Sequence, residues 1–369
     1  MKKQSWIYSA KLDGIFILAP AFAVSAIALI FHNYFTENHA VGLWAWAFLV
    51  IGIDVAHVYS TLYRTYFDSE EFKARQALYI AIPLVGWLVF MLLYSIDSMV
   101  FWRVLAYLAV FHFMRQQYGF MMIYGRFERN LPHICRIIDK IIIYTATLYP
   151  LIYWHTKLPR DFNWFIEGDF INLPYPIIGT MVGWFYLLVI AAYIVKEVYV
   201  TRQTHKFNLP RNMLVLGTAA SWYIGIVLLN SDLVFTFTNI IAHGIPYMAL
   251  IWIYSYNQAK LQKDRKYLKF FTIEKFFSLQ MLPIFIGLLV LFAYVEEGLW
   301  DGFVWREHLS IFGVFKPLPT LEQKELLAII IPLLALPQIT HYLLDAFIWR
   351  LKDGRTNWKK TLFLNNSHG

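Results

Sequence analysis

The run GIFILAPAFAVSAIALIF (residues 14–31) contains no charged side chain. At a rise of ~1.5 Å per residue, about 20 such residues cross the hydrocarbon core of a bilayer, so this run reaches most of the way. A second run, LAIIIPLLALPQITHYLLDAFIW (residues 327–349), is longer and nearly as apolar. Backbone in lipid must satisfy its own hydrogen bonds, which leaves helices or closed barrels. Barrels read as short strands of alternating polarity, and these runs do not alternate. The whole chain is 59% hydrophobic and 15% charged, where a soluble domain has roughly half and a quarter. The expected fold is all-α, a polytopic integral membrane helix bundle forming one transmembrane domain over residues 1–369.

Ten spans are predicted, at 12–33, 41–66, 77–95, 99–124, 134–154, 175–200, 211–229, 234–256, 277–297 and 325–350. Charge separates the connecting loops into two sets. Segments 125–136, 196–211, 259–275 and 350–360 are rich in Lys and Arg, whereas the opposite loops hold Glu37, Asp97, Asp161, Glu167, Asp169, Asp232, Glu296, Glu297 and Asp301. Lys and Arg concentrate on the cytoplasmic side, which puts both termini in the cytoplasm and agrees with an even number of spans. A bacterial inner (plasma) membrane is the expected location. The net charge of +8 then belongs to the loops of one membrane face, and no nucleic-acid partner is expected. Glu296 and Glu297 read as solvated at the outer edge. Trp154, Trp164, Trp300 and Trp305 read as an interfacial belt. The single cysteine, Cys135, excludes an internal disulfide and a thiolate cluster. The N-terminal MKKQSWIYSAKLDG lacks the apolar core of a cleavable signal peptide.

Four of the eleven histidines interrupt the apolar spans: His57, His112, His243 and His341, on spans 2, 4, 8 and 10. These spans run in the same direction. Each histidine lies about 9–13 residues from the cytoplasmic end, so the imidazoles share a layer about 14–20 Å deep. Groups from separate helices converge only at a common height, and polar groups in a bilayer normally face the bundle interior. Four imidazoles without thiolate suit zinc, iron or copper; a hydrogen-bonded structural histidine is the plainer reading of any one of them. Asp54 precedes His57 by three and Asp345 follows His341 by four, so each pair shares a helical face. The two carboxylates are candidate metal ligands, or orienting groups behind the imidazoles; ion pairing with Arg64 or Arg115 is the alternative. Gln116, Asn239, Tyr247 and Gln338 sit one turn from a histidine. Arg115 is costly near mid-bilayer and is a candidate for binding an anionic group. Pro246, Pro337 and Gly244 loosen the helices beside their histidines.

The islands DVAHVYSTL, FHFMRQQ, NIIAHGIPY and LPQITHYLLDAFIWR follow the order of histidine motifs in the Brp/Blh family, which this chain distantly resembles over about a quarter of its length. The resemblance implies a membrane enzyme like the iron-dependent oxygenases that cleave β-carotene to retinal. Tyr247 stands where that family has a second histidine in its third motif, the first motif lacks Pro-His-Gly, and the last His–Asp spacing is shorter by one. These departures make Asp54 a candidate to complete the coordination.

The expectation is an integral-membrane metalloenzyme, most simply a non-haem iron oxygenase acting on a lipid-soluble isoprenoid or acyl substrate with O2. His57, His112, His243, His341, Asp54 and Asp345 are its candidate metal ligands, and Arg115, Gln116 and Tyr247 its candidate catalytic groups. Membrane lipid and an electron-transfer partner are further expected partners. Zinc hydrolysis, a b-type haem protein and a proton-coupled transporter use the same residue types and stay open.

Overall fold

The computed structural model describes residues 4–37, 41–128, 130–261, 266–268, 271–272, 276–349 and 358–364. Of the loop charges considered above, Arg129, Lys263, Arg265, Lys269, Lys275, Arg350, Lys352, Arg355 and the Glu37 and Lys266 side chains lie outside the described residues. Arg350 closes the last of the four islands.

The protein is about 80% helix. Its main helices are α1 (Ala10–Ile30), α2 (Leu43–Arg64), α3 (Gln76–Ile96), α4 (Ser98–Tyr124), α5 (His133–Thr156), α6 (Pro176–Thr204), α7 (Leu209–Leu228), α8 (Asp232–Leu261), α9 (Leu279–Trp305), α10 (Lys324–Leu334) and α11 (Leu336–Ile348). A short antiparallel pair, β1 (Lys266–Leu268) and β2 (Phe271–Thr272), is the one departure from the all-helical expectation among the described residues. Among those residues, seven helices are long and apolar enough to cross a membrane: α1, α2, α3, α6, α7, α8 and α9. The pair α10 and α11, bent by 45° ahead of Pro337, adds an eighth if it acts as one span. The other two predicted spans are helical but more polar. α4 carries Arg103, His112, Arg115, Gln116 and Gln117, and the first third of α5 carries Arg136, Asp139 and Lys140. α3 buries 17% of its apolar window and α8 buries 67%. Leu92 on α3 and Leu188 on α6 are more than 60% exposed, the pattern of helices that face lipid.

Cα packing divides the chain into two compact units, residues 1–41 with 109–246 and residues 42–108 with 247–369. In the first unit α5 lies along α6 and α7 lies on α1. Glycines permit these approaches. A Cβ at Gly179 would sit 2.7 Å from Oγ1 of Thr156, and one at Gly217 would sit 3.1 Å from Cβ of Ala21. Arg211, 1% exposed, is met by Glu128, Glu197 and, at 3.3 Å, Asp139. Lys196 pairs with Asp139 and Glu197. Charges out of water persist when paired this completely.

In the second unit α3 packs on α10 and α11, and α9 packs on α2. Tyr79, Leu344 and Ile348 form a fully buried knot there. Beside it, Glu71 bridges Nη1 of Arg64 at 2.7 Å and Nε of Arg75 at 3.1 Å, and accepts a 2.7 Å hydrogen bond from Tyr79. Arg64 and Arg75 also donate to the carbonyls of Ile348 and Phe347. Two expectations are corrected in these units. Glu296 is 4% exposed, not solvated, because α9 turns it inward beside Tyr59 and Trp300. Trp154 and Trp300 are buried in aromatic clusters instead of lying in an interfacial belt, while Trp305 is 39% exposed.

Candidate metal centre

In the second unit His57 stands on α2 directly after a π-wound stretch, Ala47–Val55. Such wider turns are rare and recur at functional sites. The His57 ring is hydrogen-bonded to backbone carbonyls of Ile53 and Asp54 inside that stretch, while Oδ1 of Asp54 stands 3.7 Å from Nδ1, too far for a hydrogen bond. Ser60 donates to the His57 carbonyl at 2.6 Å. His341, on α11, meets His57 edge to face with ring centroids 5.0 Å apart. Its Nδ1 is 2.6 Å from the Thr61 hydroxyl. Thr61 is 3.0 Å from the Tyr247 hydroxyl, which donates to Oδ1 of Asp345 at 2.5 Å.

In the first unit His112 on α4 and His243 on α8 bring their Nε2 atoms to 3.2 Å. Phe113 lies flat on the His243 ring, centroids 3.5 Å apart and planes 9° from parallel. Gln116 donates its amide to the carbonyl of His243 at 3.0 Å, tying α4 to the backbone that carries the imidazole. One nitrogen from each of His57, His112, His243 and His341 lies within 4.8 Å of all the others, and each residue is 1–2% exposed.

This donor set fits a metal ion. With metal–nitrogen bonds of about 2.1 Å, two imidazoles on one tetrahedral ion stand about 3.4 Å apart, and two on opposite sides about 4.2 Å. The 3.2 Å between His112 and His243 is already at the tetrahedral separation, and the 4.8 Å limit on the whole group exceeds the larger value by less than 1 Å. All four donors are imidazoles, which suits a borderline cation such as iron, zinc or copper.

The remaining candidates are placed as follows. Asp54 lies behind His57, and Asp345 is held at the Tyr247 hydroxyl. Arg115 donates to the Tyr144 hydroxyl at 2.9 Å and lies over the Tyr118 ring; Arg64 serves Glu71. Asn239 donates to the carbonyl of Phe235 one turn back on α8, and Gln338 is half-buried at the start of α11. Sequence reasoning passed over Thr61 and Phe113. The first was visible as a hydroxyl four residues after His57, the second as the neighbour of His112. No protein-family model, curated protein or solved structure matches the chain.

Proposed function

We propose that this chain is an integral-membrane metalloenzyme, a non-haem iron oxygenase acting on a lipid-soluble isoprenoid or acyl substrate. The observation that carries the reading is the group of four buried imidazoles with nitrogens within 4.8 Å. His57, His112, His243 and His341 would hold the ion, and iron held this way would supply O2 activation within the bilayer. The protein's own contribution is orientation and exclusion of water. The backbone carbonyls of Ile53 and Asp54 hold the His57 ring, Phe113 stacks on His243, and Gln116 fixes the α8 backbone beneath it. A bare ion is favoured over haem because the facing nitrogens of His112 and His243 are 3.2 Å apart, and axial ligands must leave room for a macrocycle between them. The order of the histidines along the chain supports kinship in chemistry with the Brp/Blh enzymes. In the topology we propose, α4 and α5 also cross, giving ten spans in a plasma membrane with both termini cytoplasmic.

Elemental analysis with an absorption spectrum on detergent-purified protein tests this. About one iron per chain without a Soret band is the expected result, followed by O2-dependent turnover of carotenoid or acyl lipids. Replacing any one of the four histidines by Ala should lower bound metal at least tenfold, as loss of one ligand in four requires, and leave insertion intact. Stoichiometric zinc would move the reading to hydrolysis. Unchanged metal content in all four variants would overturn the site.

A further inference from the structure

His341 and Asp345 are four residues apart on α11, yet they meet through two hydroxyls that come from two other helices. The contacts run from Nδ1 of His341 to Thr61 (2.6 Å), from Thr61 to Tyr247 (3.0 Å) and from Tyr247 to Asp345 (2.5 Å). Thr61 is 4% exposed, Tyr247 1% and His341 1%. A hydroxyl carries one hydrogen, so the direction of each bond is determined once the last is known. Tyr247 gives its hydrogen to the carboxylate, so its oxygen must accept at the contact with Thr61. Thr61 spends its hydrogen there, so its oxygen must accept at the contact with His341. The imidazole therefore carries a proton on Nδ1, and in the neutral ring Nε2 keeps its lone pair.

We infer that Thr61 is a positioning residue which, with Tyr247 and Asp345, sets the Nδ1–H tautomer of His341 and so presents Nε2 as the metal-binding atom. The role in metal binding rests on the reading above; the tautomer does not. Metal-bound histidines usually give their other N–H to a carboxylate or carbonyl. Here the carboxylate acts at two removes, because α2 and α8 place hydroxyls between it and the ring.

The experiment is nitrogen-15 NMR on histidine-labelled, detergent-purified protein without metal, with the His341 resonances identified by their loss in His341→Gln. The wild type should show His341 protonated on Nδ1. Tyr247→Phe removes the acceptor for the Thr61 hydrogen, frees that hydrogen to bond Nδ1, and should flip the ring to Nε2–H. Thr61→Val removes the hydroxyl at nearly constant volume and should leave the two tautomers mixed, whereas Thr61→Ser should restore the wild-type pattern. A wild-type ring protonated on Nε2, or a Tyr247→Phe spectrum identical to wild type, overturns the inference.

The second readout is titration of the same proteins with zinc alone. Thr61→Val should bind it about 10–100-fold more weakly, in the range typical of lost outer-shell partners, and Thr61→Ser close to wild type. Equal affinity in Thr61→Val and wild type overturns the positioning role. Failure of the wild type to bind zinc, iron or copper overturns the metal reading and that role together, while the tautomer is decided by NMR alone.

Discussion

Glu71 shows how much one buried carboxylate can hold together. Burial alone would raise its pKa, but the charge and hydrogen bond of Arg64, the hydroxyl of Tyr79 and the charge of Arg75 outweigh that and hold it below the ordinary glutamate value of 4.5. A carboxylate whose folded pKa is depressed contributes stability that is complete above its unfolded pKa and is lost as pH falls through the folded one. The thermal midpoint of the purified protein should therefore drop as pH is lowered from about 5 toward 3. Glu71→Gln should cost roughly 3–5 kcal/mol at pH 7, since it strands two buried guanidinium groups, and should flatten that acid limb. A variant with the wild-type midpoint at neutral pH would show that Arg64 and Arg75 find other partners. The same economy explains why Arg64 is not available to Asp54 or Asp345: its guanidinium is already shared among Glu71, the Ile348 carbonyl and the face of Tyr254.

At the scale of elements, the helices around the histidines are shaped by glycine and by irregular winding. Gly225 lies in a π-wound end of α7, Tyr223–Leu228, where a Cβ would fall 2.1 Å from Oγ1 of Thr238 on α8 and 3.2 Å from its Cβ. Thr238 is fully buried on the face of α8 that meets Gly225, five residues before His243. Gly225→Ala should therefore push α7 off α8 and cost about 1–3 kcal/mol, the usual range for overpacking. Gly287→Ala on α9, with nothing within 4 Å of the new methyl, is the matched control and should be neutral or slightly stabilising. Thermal unfolding compares the two directly; equal midpoints would mean that α8 yields without loss. α8 also carries Pro246 without ending, running unbroken from Asp232 to Leu261. Neighbouring helices and side chains in a bundle can satisfy what a proline leaves open.

At the scale of the molecule, the asymmetry of loop charge makes a claim about direction in the membrane. In a Cys135→Ser background, a membrane-impermeant maleimide applied to intact cells should label Val314→Cys, whose parent residue is 81% exposed in the segment after α9. It should reach Gln203→Cys, at the exposed end of α6, only after permeabilisation. The reverse pattern would invert the topology. Helix positions, membrane class and the four histidines were all legible in the chain, because apolar length and a one-turn period are local properties that neighbouring residues record. The polarity of α4 and α5 was legible too, in Arg103, Arg136, Asp139 and Lys140. The inward turn of Glu296 was not, since a carboxylate at a predicted span end reads the same whether it faces water or Tyr59. Nor was the partner of Asp345. Spacing pointed to His341 on the same helix, but the bonds run from Thr61 to His341 across 280 positions and from Tyr247 to Asp345 across 98. The sequence by itself determined that four histidines interrupt long hydrophobic stretches that fold as helices. Which nitrogen each presents, and which carboxylate stands behind it, only the tertiary structure decided, because a hydrogen bond depends on the distance between helices that share no local pattern.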